Sequence, residues 1–208
     1  MLTTRDIKLI PCGLYRENAY LVCPEGRDDC VLIDPGDDLE RLRAALAGKK
    51  LGAILLTHGH FDHIMAVGPM AVDTHAPVYV GRDDMEMLNN AALNGRAGLM
   101  GITHMDGPAI EAAPYGEKLS AAGLDFTVLS TPGHSRGSVC LYLPDENVLF
   151  SGDTLFQAGF GRMDLYGGSP AQMRNSLRRL FALPPETRVY PGHGMATTIG
   201  DERSRYGL

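Results

Sequence analysis

Residues 53–63 read AILLTHGHFDH, an apolar run that stops at Thr57 and is followed by His58, His60, Asp62 and His63. The chain has 7 histidines in all, so this clustering asks for a chemical reason. Imidazole and carboxylate suit divalent transition metals. His58 and His60 are one residue apart and project to the same side of an extended chain. Asp62 and His63 come one tight turn later, and Gly59 frees the backbone to bend. One pair can therefore serve each of two ions. Three later segments share this grammar: FTVLSTPGH ends at His134, NVLFSGD at Asp153 and TRVYPGH at His193. Where loops leave the ends of parallel or mixed strands, ligand sites form, and four such segments converging there build one site.

The ligand count favours two ions over one. A single zinc takes about four donors, whereas His58, His60, Asp62, His63, His134, Asp153 and His193 offer more. With one carboxylate bridging and a hydroxide shared between the ions, two five-coordinate metals are filled. Such a pair lowers the pKa of a shared water and polarises a carbonyl together. No cysteine belongs to this set, which argues against a closed structural zinc site. His75 and His104 stand outside the grammar and read as structural or surface residues.

The elements that must position these side chains are legible in outline. Asp6–Ile10, Ala19–Cys23 and Cys30–Ile33 read as strands, with PEGRDD as a hairpin turn between the last two. A helix is expected over Asp37–Ala47, with Leu39, Leu42 and Leu46 on one face and Gly48 ending it. Leu51–Leu56 is then a strand, and strand, helix, strand suggests an α/β layer. Further strands are expected at Phe126–Leu129, Ser138–Leu143, Val148–Phe150 and Arg188–Tyr190. A helix over Pro170–Phe181 carries Ser169 as N-cap, Pro170 in first position and Gln172 completing a capping box. Between them, residues 82–115 are less regular. A helix is expected at Arg82–Leu93, and Met85, Met87, Leu88, Leu99, Met100 and Met105 suit either a substrate mouth or ordinary packing.

Composition narrows the class. A chain of 208 residues, 44% hydrophobic and 21% charged, fits one soluble globular domain spanning 1–208. The net charge of −6 argues against a dedicated nucleic-acid binder. The N-terminus lacks a signal-peptide core, and no apolar run approaches the ~18 residues of a membrane span. Cys12, Cys23, Cys30 and Cys140 form no CxxC pair, so small buried thiols in a reduced, cytoplasmic chain are expected, with a Cys23–Cys30 hairpin disulfide as the lesser alternative. Oligomeric state is left open.

THGHFDH at Thr57–His63 resembles the T-H-x-H-x-D-H signature of the metallo-β-lactamase superfamily. TPGHSRGSVCLY, LFSGDTLF and YPGHG follow in that superfamily's order, and ENAYLV and LIDPG extend the resemblance over most of the chain. It implies a four-layer αββα sandwich of mixed sheets with outer helices. It also implies that His58, His60 and His134 hold one metal, Asp62, His63 and His193 the other, and Asp153 bridges, with Asp62 and Asp153 as the catalytic carboxylates. The ions are expected to be zinc, with iron and manganese compatible. Within the superfamily the chain is similar to glyoxalase II and its short single-domain relatives, without the C-terminal helical domain that completes the glutathione site. In GDTLFQAGFGRMD, Arg162 falls where that family has a substrate-binding cation, and Asp164 replaces its substrate-contacting tyrosine. The implied reaction is hydrolysis of a small-molecule thioester such as S-lactoylglutathione by a metal-bridging hydroxide. The leaving thiolate, with a pKa near ~8.5, needs no dedicated acid.

Three rivals accompany this reading. GFGRMD also resembles the G-R-T-D run of mono-iron persulfide dioxygenases on the same fold, whereas PGHG at Pro191–Gly194 looks like the hydrolase form. A lactonase or β-lactamase-like hydrolase is a weaker alternative, since secreted β-lactamases carry an export signal and commonly end the signature in Asp-Arg. A non-catalytic metal-binding module is the alternative from outside enzymology.

Overall fold

The computed structural model describes residues 2–3, 6–96, 101 and 107–206. Two six-stranded sheets carry the chain, each in strict sequence order. The first comprises β1 (Ile7–Cys12), β2 (Glu17–Val22), β3 (Asp29–Ile33), β4 (Lys50–Leu55), β5 (Val78–Val80) and β6 (Ala113–Pro114). Its first three strands are antiparallel, and β3 to β6 are parallel. The second comprises β7 (Lys118–Ala121), β8 (Leu124–Ser130), β9 (Val139–Leu143), β10 (Val148–Gly152), β11 (Arg188–Pro191) and β12 (Thr197–Thr198). Here β10 and β11 are parallel and the remaining pairs antiparallel.

Strand alternation separates the layers. In CVLI of β3, Val31 and Ile33 face the other sheet, while Cys30 and Leu32 face helices. The inter-sheet layer joins Tyr20, Ala53 and Leu55 to Phe126, Leu141 and Phe150, all buried. Each such large side chain contributes about 2 kcal/mol on leaving water. Helices α1 (Leu39–Leu46) and α2 (Val67–Thr74) cover the outer face of the first sheet through Leu42, Leu46, Val67 and Met70. Helices α3 (Pro170–Leu180) and α4 (Ile199–Arg205) cover the second through Met173, Leu177, Leu180 and Ile199. This is the αββα sandwich of mixed sheets.

Helix α3 starts as its sequence dictates, with Ser169 Oγ accepting from the Gln172 amide at 3.4 Å and Pro170 in first position. Helix α1 is shorter than Asp37–Ala47, because Asp38 and Ala47 both take left-handed backbone at its ends. The helix expected at Arg82–Leu93 does not form. The chain there makes a 3₁₀ run over Arg82–Met87 and then turns. Asp84 is fully buried there, beside Met87 and Leu88. Met87 and Leu88 are core residues and Met85 is surface, while Leu99, Met100, Met105 and His104 lie outside the described residues. A second correction concerns the cysteines. Cys23 and Cys30, facing each other across the β2–β3 hairpin, form a disulfide, and Cys12 and Cys140 are free and buried. No helix among the described residues is long and apolar enough to cross a membrane.

Topology gathers the candidate ligands at one edge. Two reversals, β8 to β9 and β9 to β10, leave β8, β10 and β11 running the same way, so residues 134, 153 and 193 leave the second sheet together. Residues 58–63 follow the end of β4. The sheets are stitched there: Val139 N donates to Thr57 O at 2.8 Å and Asn18 N to Gly192 O at 2.7 Å.

Candidate metal centre

All seven side chains singled out by type and spacing meet at this edge. His58, His60 and His134 present ring nitrogens within 4.8 Å of one another, as do the donor atoms of Asp62, His63 and His193. Asp153 lies between the two groups. Its Oδ2 is 3.4 Å from His134 Nε2 and 3.7 Å from His193 Nε2, and its Oδ1 is 3.5 Å from His63 Nε2. Asp62 Oδ2 is 3.3 Å from His193 Nε2.

The orientation of three of the rings, His58, His63 and His134, is set by the partner of the outer nitrogen. His63 Nδ1–H donates to Asp34 Oδ2 at 3.0 Å and His134 Nδ1–H to the Arg162 carbonyl at 2.7 Å. His58 Nδ1 contacts Thr57 Oγ1 at 3.0 Å. The inner atoms left over, His58 Nε2, His63 Nε2 and Asp153 Oδ1, are buried without hydrogen-bond partners among the described residues. His60 Nδ1 and His134 Nε2 face each other at 2.7 Å. Buried polar atoms are otherwise almost always paired, so this set of unpartnered inner atoms fits cations, which would take the place of the proton on His63.

Charge points the same way. Burial and the facing His63 hold His58 well below the usual imidazole range, and burial with His134 holds His60 at about 3, so both are neutral. Burial opposes a proton on His63, but Asp153, Asp62 and Asp34 outweigh it and raise that ring to about 9. Burial likewise opposes charge on Asp62, yet His63 and His193 hold it well below the usual carboxylate range. Among the described residues every ion-pair partner of Asp62 and Asp153 is a histidine, so the carboxylates meet no lysine or arginine. A buried negative charge of this kind is stable when it coordinates metal.

Three acidic residues that were not candidates in the sequence support the site. Asp34, in LIDPG, holds His63 and also accepts from Thr57 N and Oγ1 at 2.7 and 2.6 Å. Glu17 is wholly buried, with neither oxygen hydrogen-bonded among the described residues, and burial with Asp34 nearby pushes its carboxyl well above the usual range. Asp84 accepts from Gly59 N at 3.0 Å, Ser135 Oγ at 2.6 Å and Gly137 N at 2.6 Å. It thereby ties the loop of His58 and His60 to the loop of His134. The available signal for Asp34 was its place just past β3; Asp84 sat in a stretch whose pattern suggested only a helix. Close packing also demands glycine: a Cβ on Gly192 would lie 2.3 Å from Asp153 Oδ1 and 2.7 Å from His63 Cε1.

A cleft of about 290 Å³ opens over the centre, lined by His60, Asp62, His134, Asp153, Arg162 and His193 among others. Arg162 is thus in place to meet a ligand, but its guanidinium is filled bidentately by Asp164, Nε to Oδ1 and Nη2 to Oδ2, both at 2.7 Å. Both side chains are more than half exposed. Asp164 does not line the cleft among the described residues. His75 is exposed at the end of α2 and takes no part.

Two mixed sheets with outer helices and a His/Asp cluster at their common edge define a metal-binding αββα protein. Residues 12–193 match the model of the metallo-beta-lactamase superfamily, and the chain belongs to that family. It is 37% identical to the probable metallo-hydrolase YqgX of Bacillus subtilis, covering 94% of this chain and 93% of that one. It is 32% identical to the hydroxyacylglutathione hydrolase GloC of Haemophilus influenzae, covering 95% of each. Among solved structures it is similar to the BLEG-1 B3 metallo-beta-lactamase (TM-score 0.89, 40% identity, 95% of this chain and 96% of that). It is also similar to TTHA1623 in a di-iron-bound form (TM-score 0.82, 44% identity, 94% and 96%).

Proposed function

We propose that this protein hydrolyses a small-molecule thioester, of the hydroxyacyl thioester kind exemplified by S-lactoylglutathione, at a two-metal centre. The observation that carries this reading is Asp153, whose carboxylate approaches histidines of both groups, Oδ2 toward His134 and His193 and Oδ1 toward His63. His58, His60 and His134 would hold one divalent ion, Asp62, His63 and His193 the other, with Asp153 between. When bound, such a pair supplies an activated water and polarises the substrate carbonyl. Zinc and iron both suit this donor set, and the di-iron form of TTHA1623 is compatible with iron.

The chain's own groups do the positioning. Asp34 and the Arg162 carbonyl accept from Nδ1 of His63 and His134, so that each ring turns its Nε2 toward the centre. Arg162, at the rim, binds an anionic part of the substrate once that group displaces Asp164. The thiolate leaving group departs without protonation by a side chain. The resemblance to GloC supports the thioester.

Metal analysis beside a panel of thioester, lactone and persulfide substrates tests the proposal. Two metals per chain with thioester turnover is the expected result. One iron with oxygen consumption on glutathione persulfide would replace it by the dioxygenase reading, which GFGRMD also fits; a lactone preference or no turnover would overturn the substrate. Asp153→Ala is expected to abolish turnover and lose at least one metal, and retention of both would contradict the bridge.

A further inference from the structure

Glu202 in α4 is 0% exposed, and a carboxylate is costly to bury unless donors take up its oxygens. Here the two oxygens reach two different segments. Oε2 accepts from the Ala158 amide at 2.8 Å and Oε1 from the Thr197 hydroxyl at 2.7 Å, with Arg205 Nε 3.4 Å from Oε1. Ala158 belongs to the segment that runs from Asp153 to Arg162, and Thr197 comes four residues after His193. One buried side chain thus joins the connection after β10 to the connection after β11. The first of these is fixed at its ends by other means. Gly161 N donates to Asp153 O at 2.9 Å, and the Arg162 carbonyl accepts from His134 Nδ1 at 2.7 Å. Between these anchors the chain doubles back, Phe156 and Gly159 exchanging backbone bonds of 2.8 and 3.4 Å. At the turn Ala158 takes left-handed backbone, φ 57°. A residue with a Cβ keeps that conformation when its surroundings impose it, and Glu202 accepts the amide of this very residue. Phe156, just before the turn, lines the metal cleft, its ring edge-on to His193 at 6.2 Å.

We infer that Glu202 is a positioning residue for substrate binding: by holding the Ala158 turn against α4, it sets the Phe156 wall of the cleft. It acts through Phe156 and not by touching substrate. The inference rests on the hydrolase reading for its kinetic readout. A leucine would fill the same space without the cost of burying a charge, so packing alone gives no reason for a carboxylate here. Two donors from two segments do. The helix is the fixed partner of this contact. Ile199 seats it in the core of the second sheet, and Gly200 N donates to Pro185 O at 2.8 Å. A second contact has the same sense, Phe160 lying against Tyr206 just past the end of α4, with ring centroids 6.2 Å apart. Loss of Glu202 therefore frees the turn between two anchors that stay in place. The wall at Phe156 loosens, while Asp153 and His134 keep their backbone and ring partners. Substrate affinity falls, and the chemical step does not.

The test compares the native protein with Glu202→Ala and Glu202→Gln, all metal-loaded, on S-lactoylglutathione. Glutamine keeps a carbonyl for the Ala158 amide and a polar group for the Thr197 hydroxyl. In Glu202→Ala, KM rises roughly tenfold, the worth of one hydrogen bond to a charged group. Turnover stays within about twofold, metal content is unchanged, and Glu202→Gln recovers most of the native KM. Hydrogen exchange followed by mass spectrometry reads the same effect without turnover. Peptides covering residues 154–162 exchange faster in Glu202→Ala, while both sheets keep their native rates. Should Glu202→Ala not fold, Ala158→Pro removes the donor at an exposed turn, leaves α4 intact and gives the same rise in KM; an unchanged KM there would overturn the inference. So would faster exchange throughout the sheets, loss of metal, a fall confined to kcat, or a glutamine variant that behaves like alanine. If no thioester is turned over, the hydrolase reading fails, and exchange over residues 154–162 decides the role of Glu202 on its own: native rates in Glu202→Ala overturn it.

Discussion

At the scale of single residues, the candidate centre holds a ring by one nitrogen and turns the other inward. His63 shows this with Asp34, and His134 with a backbone carbonyl. Arg162 shows the converse, a cation whose fork is already occupied by Asp164. If Arg162 binds substrate charge, Arg162→Ala raises KM several-fold with little change in kcat. Asp164→Asn, which removes the competing charge, lowers KM for a glutathione thioester. Steady-state kinetics on both variants reads these effects, and a change confined to kcat would place Arg162 elsewhere. Gly192→Ala introduces a carbon within 2.3 Å of Asp153 Oδ1. It should lower metal content while the secondary structure seen by circular dichroism stays intact, because the clash falls on the carboxylate and not on the sheet.

At the scale of elements, the segment after β5 shows how tertiary contacts override local pattern. Apolar spacing over Arg82–Leu93 suits a helix, but it carries no sign that three donors from two loops converge on Asp84. With those contacts in place the segment winds as a short 3₁₀ run. Asp84→Ala would leave the Gly59 amide, the Gly137 amide and the Ser135 hydroxyl without this acceptor, at about 1–3 kcal/mol for each group that stays buried and unpaired. The expected result is a fall in thermal stability together with selective weakening of the ion that His58, His60 and His134 would hold. Equilibrium dialysis with metal analysis distinguishes this from general unfolding, which would release both ions together.

At the scale of the whole molecule, the sandwich exists to bring two sheets to a common edge. Its inter-sheet layer is largely apolar, and many of the buried polar residues lie where β4, β8, β10 and β11 end. The Cys23–Cys30 disulfide closes a short hairpin within the first sheet, away from that edge. By loop-closure entropy it stabilises the fold by about 2 kcal/mol. Denaturant unfolding with and without dithiothreitol should show that loss, and Cys23→Ser should show the same loss without responding to reductant. Metal content of the folded protein should not change in either case.

The sequence by itself determined the class of fold, most strand positions, the start of α3 and the residue types that end the strands. It did so because burial imposes alternation on strands and a 3.6-residue period on α3, and because Ser-Pro and Pro-Gly-His punctuate locally. It also singled out Arg162 and Asp164, but not that they hold each other. What only the tertiary structure decided was pairing across distance. Asp34 and Glu17 lie behind His63, Asp84 joins two loops, and Asp153 stands between two groups of histidines. A disulfide, not two free thiols, spans the β2–β3 hairpin. Such pairings depend on which strand ends become neighbours when two sheets close on one core, and residue type and spacing within any one segment carry no record of that.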